Sequence, residues 1–187
     1  MKWPDIYTYY PNLGQSVDGL VIRPIHDGDK EKIRIWRNNQ MRVLRQKNML
    51  TEMEQDDYFT EIISKSMESE NPDQILLSIE EENNLVAYGG LVHISWEDQR
   101  AELSFLTCDT LSDVHYERYF TSFINYLVSV AQNQLGLHKI FTETYSFRLQ
   151  HIAILEKCGL KKEGELMDHV QISGSFHNSI IHGVILV

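Results

Sequence analysis

Apolar positions change their period several times along the chain, and each change marks an element. Residues 20–25, Leu-Val-Ile-Arg-Pro-Ile, alternate and are β-branched, which predicts a first strand. The turn His26-Asp27-Gly28-Asp29 leads to Ile33 and Trp36 at helical spacing, with Ile35 beside them, and that helix ends near Asn38-Asn39. A charged link carrying Arg42, Arg45 and Lys47 follows. Thr51-Glu52-Met53-Glu54 is a capping box, so a helix to about Met67 is expected, with Tyr58, Phe59, Ile62 and Ile63 as its buried face. Asn71-Pro72-Asp73 breaks it. Residues 74–79 and 85–93 read as two strands joined by an acidic turn containing Asn83-Asn84, and Gly89-Gly90 predicts a bulge or a close backbone approach in the second. Residues 100–107, Arg-Ala-Glu-Leu-Ser-Phe-Leu-Thr, form a central strand. A loop over 108–116 then gives way to a long helix whose stripe is Phe120, Phe123, Ile124, Leu127 and Ala131, closed by Gly136.

The organising stretch is 137–169, which reads strand, helix, strand. Ile140, Thr142 and Thr144 alternate with Phe141, Glu143 and Tyr145; Ser146 stands where an N-cap oxygen is needed. A helix over 148–158 follows, with Leu149, Ile152, Ala153 and Leu155 as its apolar side and Gly159 as a left-handed cap. Residues 165–172 and 176–186 pair across Ser173-Gly174-Ser175 as a terminal hairpin. Residues 1–18 show neither period, and their aromatics are expected to cover a core or a partner subunit, as in a homodimer.

Composition narrows the classes. At 187 residues the chain suits one domain, 1–187, with residues 1–18 as an N-terminal extension. The net charge of −10 argues against nucleic acid as a partner, since phosphate binding needs clustered Lys and Arg. Cys108 and Cys158 have neither disulfide nor zinc spacing, and no metal is expected. No stretch is long and apolar enough for a membrane span and no leader pattern opens the chain, so a cytoplasmic protein is expected.

The run Glu156-Lys157-Cys158-Gly159-Leu160, followed by a charged turn and Gly164, closely resembles the end of the GNAT acyl-CoA N-acetyltransferases, especially their RimJ/RimL-like branch. The branch's pattern is Glu-Lys-x-Gly-Phe-x-x-x-Gly, and Leu160 replaces its phenylalanine. A second match is independent: Leu20, Arg23, Pro24 and Asp29, then Trp36-Arg37-Asn38, resemble the branch's opening. The resemblance covers residues 20–187 and implies an α/β (α+β) fold. Its sheet is mixed and mostly antiparallel, of about seven strands with helices on both faces, and acetyl-CoA lies where two central strands splay apart. Three further runs are Trp36-Arg37-Asn38 continuing to Val43-Leu44-Arg45-Gln46, Thr51 through Gln55 to Tyr58-Phe59, and Tyr88-Gly89-Gly90-Leu91-Val92-His93 with Trp96. They resemble bacterial members that acetylate nucleotide-linked amino sugars for surface and flagellin glycans. Rival acceptors are a protein N-terminus or a polyamine, and an acidic chain favours a cationic one. A non-catalytic acyl-CoA-binding module is the rival from another class.

N-acetylation needs a base for the amine, donors for the thioester oxygen, a grip on the pyrophosphate and a proton for the thiolate. Glu102, in a central strand, is the candidate base, because the resemblance places a glutamate there; the competing role is an ion pair with Arg100 or His93. The resemblance assigns the thioester oxygen to amides of Leu106 and Thr107, beside Phe105. The family's glycine-rich pyrophosphate loop falls on His115, Tyr116, Glu117, Arg118, Tyr119 and Phe120, where every glycine is gone. A helix N-terminus remains, with Arg118 and His115 to supply charge. The family's asparagine falls on Arg148, a candidate for a CoA phosphate, and its acidic tyrosine falls on Leu155, which leaves water or a nearby hydroxyl, Tyr145 or Ser146, to protonate the thiolate. The acceptor is expected between Trp36-Arg37 and His93-Trp96, with Arg37, Arg42 or Arg45 meeting a diphosphate.

Overall fold

The computed structural model describes residues 3–186. Eight strands form one sheet: β1 (Gln15–Val17), β2 (Leu20–Pro24), β3 (Ile75–Glu81), β4 (Asn84–Ser95), β5 (Arg100–Thr107), β6 (Lys139–Tyr145), β7 (Lys161–Ile172) and β8 (Ser175–Ile185). Their order is β1-β2-β3-β4-β5-β6-β8-β7. Every neighbouring pair is antiparallel except β5 and β6, which run parallel. The eighth strand, one more than expected, is β1, a short piece inside the N-terminal extension that pairs Gln15 with Ile22. Tyr7 in the same extension is buried and exchanges hydrogen bonds with the Leu76 backbone at 3.2 and 2.6 Å, so the extension packs as part of the core.

Helices cover both faces. On one lie α1 (Lys30–Asn39), α2 (Glu52–Asp57), a π-helical turn (Tyr58–Ile63) and α3 (Ser64–Glu68). Thr51 and Glu54 cap α2 reciprocally, as the sequence predicted. The π-turn then rewinds the register, so the buried residues are Phe59, Ile63 and Met67, while Tyr58 and Ile62 stay 38% and 49% exposed. This corrects the expected face, which gave all four positions between 58 and 63 to the core.

On the other face lie α4 (Asp113–Asn133) and α5 (Leu149–Lys157). The predicted α4 stripe, from Phe120 to Ala131, is fully buried, and Phe120 stacks on Phe105 of β5 at 4.5 Å. Ser112 caps α4, which therefore begins within the expected loop. In α5 two expectations fail. Ser146 is not the cap: the N-cap residue is Arg148, without a side-chain capping bond. Leu149 is 73% exposed, and the buried side is His151, Ile154 and Leu155, because His151 turns inward and stacks on Phe120 at 4.3 Å. Gly159 does close the helix with φ +91°.

Candidate active site

β5 and β6 pair only at Arg100↔Lys139, Ala101↔Ile140 and Glu102↔Phe141. Beyond Glu102 they part, and β5 loses its strand partner on that edge. A cleft of about 480 Å3 opens there. Residues from both sheet faces line it. Glu102, Glu143 and Tyr145 come from the α1 side, and Leu103, Phe105, Thr142, Arg148 and His151 from the α4 side. The gap therefore passes through the sheet, so two ligands can meet end to end from opposite faces.

Glu102 stands at the point of divergence and is only 8% exposed. Arg45 holds it, with Nη1 at 3.1 Å from Oε2 and Nη2 at 2.5 Å from Oε1, and the same Nη2 reaches Glu143 at 3.1 Å. His93 Nε2 lies 3.8 Å from Glu102, on a residue with φ +50° at the irregularity between Val92 and Ser95 that turns its ring towards the cleft. Of the two ion-pair partners expected for Glu102, His93 is beside it and Arg100 is not. Arg100 turns back to Asp98 at 3.1 Å and rests over Phe141.

Tyr145 is buried and donates its hydroxyl to the Leu44 carbonyl at 3.3 Å; burial, offset in part by Arg45, raises its pKa. On the α4 side, Arg148 Nη2 donates to the Tyr116 hydroxyl at 3.1 Å, and Tyr116 meets His151 Nδ1 at 2.7 Å. Burial, with Arg148 and His182 adding to it, drives the His151 pKa well below its ordinary value of 6.5, so the ring is neutral.

The remaining residues singled out in the sequence divide cleanly. Arg37 lines the cleft, as does Phe105. Leu106 and Thr107 continue the unpartnered β5 edge, and the Thr107 carbonyl accepts from Gln40 at 2.7 Å. Arg118 points away: it pairs with Glu81 at 2.6 Å and donates to the Asp18 carbonyl, while Tyr119 also bonds Glu81. His115 binds the capping Ser112 at 2.8 Å, and Phe120 is core. Trp36 belongs to the core, and Trp96 stacks on Tyr10 and donates to the Pro72 carbonyl at 3.1 Å, so neither ring lines the cleft. Arg42 rests over Phe147. Sequence reasoning missed Arg45 as the partner of Glu102, and also Glu143, Gln74 and His151, and it placed Tyr116 in the pyrophosphate loop rather than beside Arg148. For Glu143 a signal existed, because it alternates onto the same face as Tyr145.

Among the described residues no cluster could hold a metal ion, and no helix is long and apolar enough to cross a membrane. A family model for the acetyltransferase (GNAT) domain matches residues 22–181. No curated protein matches the chain significantly in sequence. Among solved structures, the spermidine N-acetyltransferase of Vibrio cholerae in complex with CoA and spermine matches with a TM-score of 0.80 and 18% identity, covering 91% of this chain and 97% of that one. A chimera of the Vibrio cholerae enzyme with hSSAT matches with a TM-score of 0.78 and 18% identity, over 90% and 96% of the two chains. A dodecameric, intermediate-state structure of that enzyme gives 0.75 and 18%, over 91% and 95%. At such identity the likeness is one of fold, whereas the family model spans most of the chain. The parted strands, the cleft through the sheet and that match together place the chain in the GNAT family of acetyl-CoA-dependent N-acetyltransferases.

Proposed function

We propose that the protein acetylates a primary amine that arrives as an ammonium, with Glu102 as its base. The observation that carries this reading is the pair Glu102 and Glu143, two carboxylates that together hold the one cationic head of Arg45 in the cleft. A site that binds a guanidinium in this way suits an alkylammonium, which competes for the same oxygens. Once the acceptor nitrogen has replaced Arg45 there, Glu102 takes a proton from it, directly or through water, and the free amine can attack.

The residues present also fit acetyl-CoA, which supplies the acetyl group as a thioester. The β5 edge beyond Glu102 has no strand partner on the β6 side, so those peptide groups that do not face β4 are open to a ligand lying in the gap, although Gln40 already takes the Thr107 carbonyl; the amides of Leu106 and Thr107 remain the ones assigned to the thioester oxygen. Arg148 lines the cleft and, among the described residues, binds only neutral partners, so its charge remains for an anion such as a CoA phosphate. Arg118, neutralised by Glu81, is the poorer candidate. Tyr145 lines the cleft and is the hydroxyl we assign to returning a proton to the thiolate.

A nucleotide-linked amino sugar, the first expectation from sequence, keeps only Arg37 in its favour. Arg45 is engaged by carboxylates, Arg42 lies over Phe147, and the two tryptophans expected to stack on sugar or base lie outside the cleft. An acceptor with an ammonium head gains support from the net charge of −10 and from the spermidine N-acetyltransferase of Vibrio cholerae, which shares the fold and acts on an amine. Glu102→Gln tests the mechanism, because it keeps the volume and removes the base. The rate at pH 7 is expected to fall by about 10²–10⁴-fold, less at high pH where free amine is abundant, with acetyl-CoA binding retained. A folded variant that binds acetyl-CoA and turns over within about threefold of the parent across pH, far short of a general base's effect, removes Glu102 from the mechanism.

A further inference from the structure

Behind the cleft, between α1, the π-turn and the sheet, lies a second cavity of about 280 Å3. It is continuous with the first in its lining: Arg37, Tyr58, Gln74, Val92 and Ser104 border both. The rest of its wall is mostly apolar, Ile25, Ile33, Leu50, Phe59, Ile63 and Leu76, with Gln55 and Tyr88 as its polar members.

Arg37 stands where the two cavities join. Its Nε donates to Gln46 at 3.0 Å and one Nη to the Tyr88 hydroxyl at 3.1 Å; the second Nη has no partner among the described residues, and no carboxylate balances the charge. Most arginines of this chain are otherwise engaged, as Arg23, Arg34, Arg45, Arg100 and Arg118 each meet an acid. Gln74 adds a second loose end. Its Oε1 accepts from Tyr58 at 2.8 Å, but its Nε2 is buried and unpartnered. A half-buried guanidinium and an unsatisfied amide, both at an apolar cavity, leave donors that a ligand's oxygens would complete.

We infer that the acceptor is an amino acid with an apolar frame, its ammonium at Glu102 and Glu143, its carboxylate on Arg37 and Gln74, and its side chain in the rear cavity. The inference rests on the amine-acetylating reading above and names its substrate class. Electrostatics separate the candidates. A polyamine would bring positive charge to an unbalanced arginine, and a peptide's neutral carbonyl would leave that charge uncompensated. A carboxylate satisfies it.

The test measures CoA release by the full-length protein with acetyl-CoA and a matched panel. The panel comprises leucine, phenylalanine, the amines left when their carboxylates are removed, a series of ω-amino acids of increasing length, spermidine, and a peptide beginning with leucine. An amino acid is expected to exceed its decarboxylated amine by roughly 10–100-fold in kcat/KM, the size of a charge-assisted hydrogen-bonded pair. In Arg37→Met the ratio of the two kcat/KM values should fall to about one, whatever the absolute rates, and Arg37→Lys should restore part of the ratio. The parent comparison needs no variant, so a poorly folding Arg37→Met leaves the test standing. If spermidine, a peptide or a simple amine is acetylated as well as any amino acid, the carboxylate site is wrong and the amine reading survives. If acetyl-CoA binds and no amine is acetylated, both fall.

Discussion

His151 is the residue whose burial has the clearest thermodynamic consequence. It stacks on Phe120, bonds Tyr116, and is held neutral by desolvation with Arg148 and His182 nearby. Its folded pKa lies well below 6.5, so above that pH neither state binds the proton and the histidine is neutral to stability. As pH falls below 6.5 the unfolded chain takes up a proton that the folded chain refuses, and stability is lost progressively. Urea midpoints at pH 7.5 and 5.5 should therefore differ in the parent and differ less in His151→Gln; an equal drop in both would assign the acid sensitivity elsewhere. Asp29 does not confuse the window. Its burial raises its pKa, but Arg23, Ser78 and the His26 amide outweigh that and hold it low, so its contribution is lost only on the acid side of the ordinary carboxylate range. At this scale the sequence made Glu102 legible, since a carboxylate in a central strand is conspicuous. Its partner was not legible. Arg100 is two residues away on the same strand, yet Asp98 and the Phe141 ring draw its head aside, while Arg45 comes from an irregular link that has no period to place it.

At the scale of elements, the β3–β4–β5 core tolerates side chains least at Gly89 and Gly90. A Cβ on Gly90 would stand 1.9 Å from the Ile75 carbonyl oxygen, and the residue's φ of +150° lies where L side chains rarely go. A Cβ on Gly89 would meet the Ser104 carbonyl at 2.1 Å. Gly90→Ala should thus cost roughly 2 kcal/mol or more, from backbone strain and overpacking together. Chemical denaturation checks this; a variant as stable as the parent would mean the strands separate there at little cost. The glycine pair was readable as a close approach, and the structure puts the irregularities elsewhere, between Ile79 and Glu80 and between Val92 and Ser95. Periodicity succeeded where an element buries one regular face, as the α4 stripe does. It failed at α5, where an inward histidine outranks an apolar Leu149, and at the π-turn, where one wider turn shifts the face by a residue.

For the whole molecule, the family pattern in the ends of the chain carried the fold, and the missing glycines at α4 left cofactor binding as the open issue. Acetyl-CoA is a polyanion and the chain carries a net −10, so binding depends on where positive charge is left unneutralised. Arg148 is so placed, at the cleft and with only Tyr116 and His151 as side-chain partners among the described residues, whereas Arg118 is tied to Glu81 and the Asp18 carbonyl. A ligand that binds only the folded state raises its stability, by about 2.7 kcal/mol at one hundred times its dissociation constant. For a chain of this size that amounts to a rise in melting temperature of about 5–11 °C. Acetyl-CoA should produce such a shift in the parent and, at the same concentration, a clearly smaller one in Arg148→Ala, while Arg118→Ala should lower the unliganded melting temperature and leave the shift largely intact. The opposite ranking would return the pyrophosphate to the N-terminal turns of α4. No shift in the parent at millimolar acetyl-CoA would mean that the glycine-free helix start no longer admits the cofactor, and the cleft at Glu102 would then need another donor.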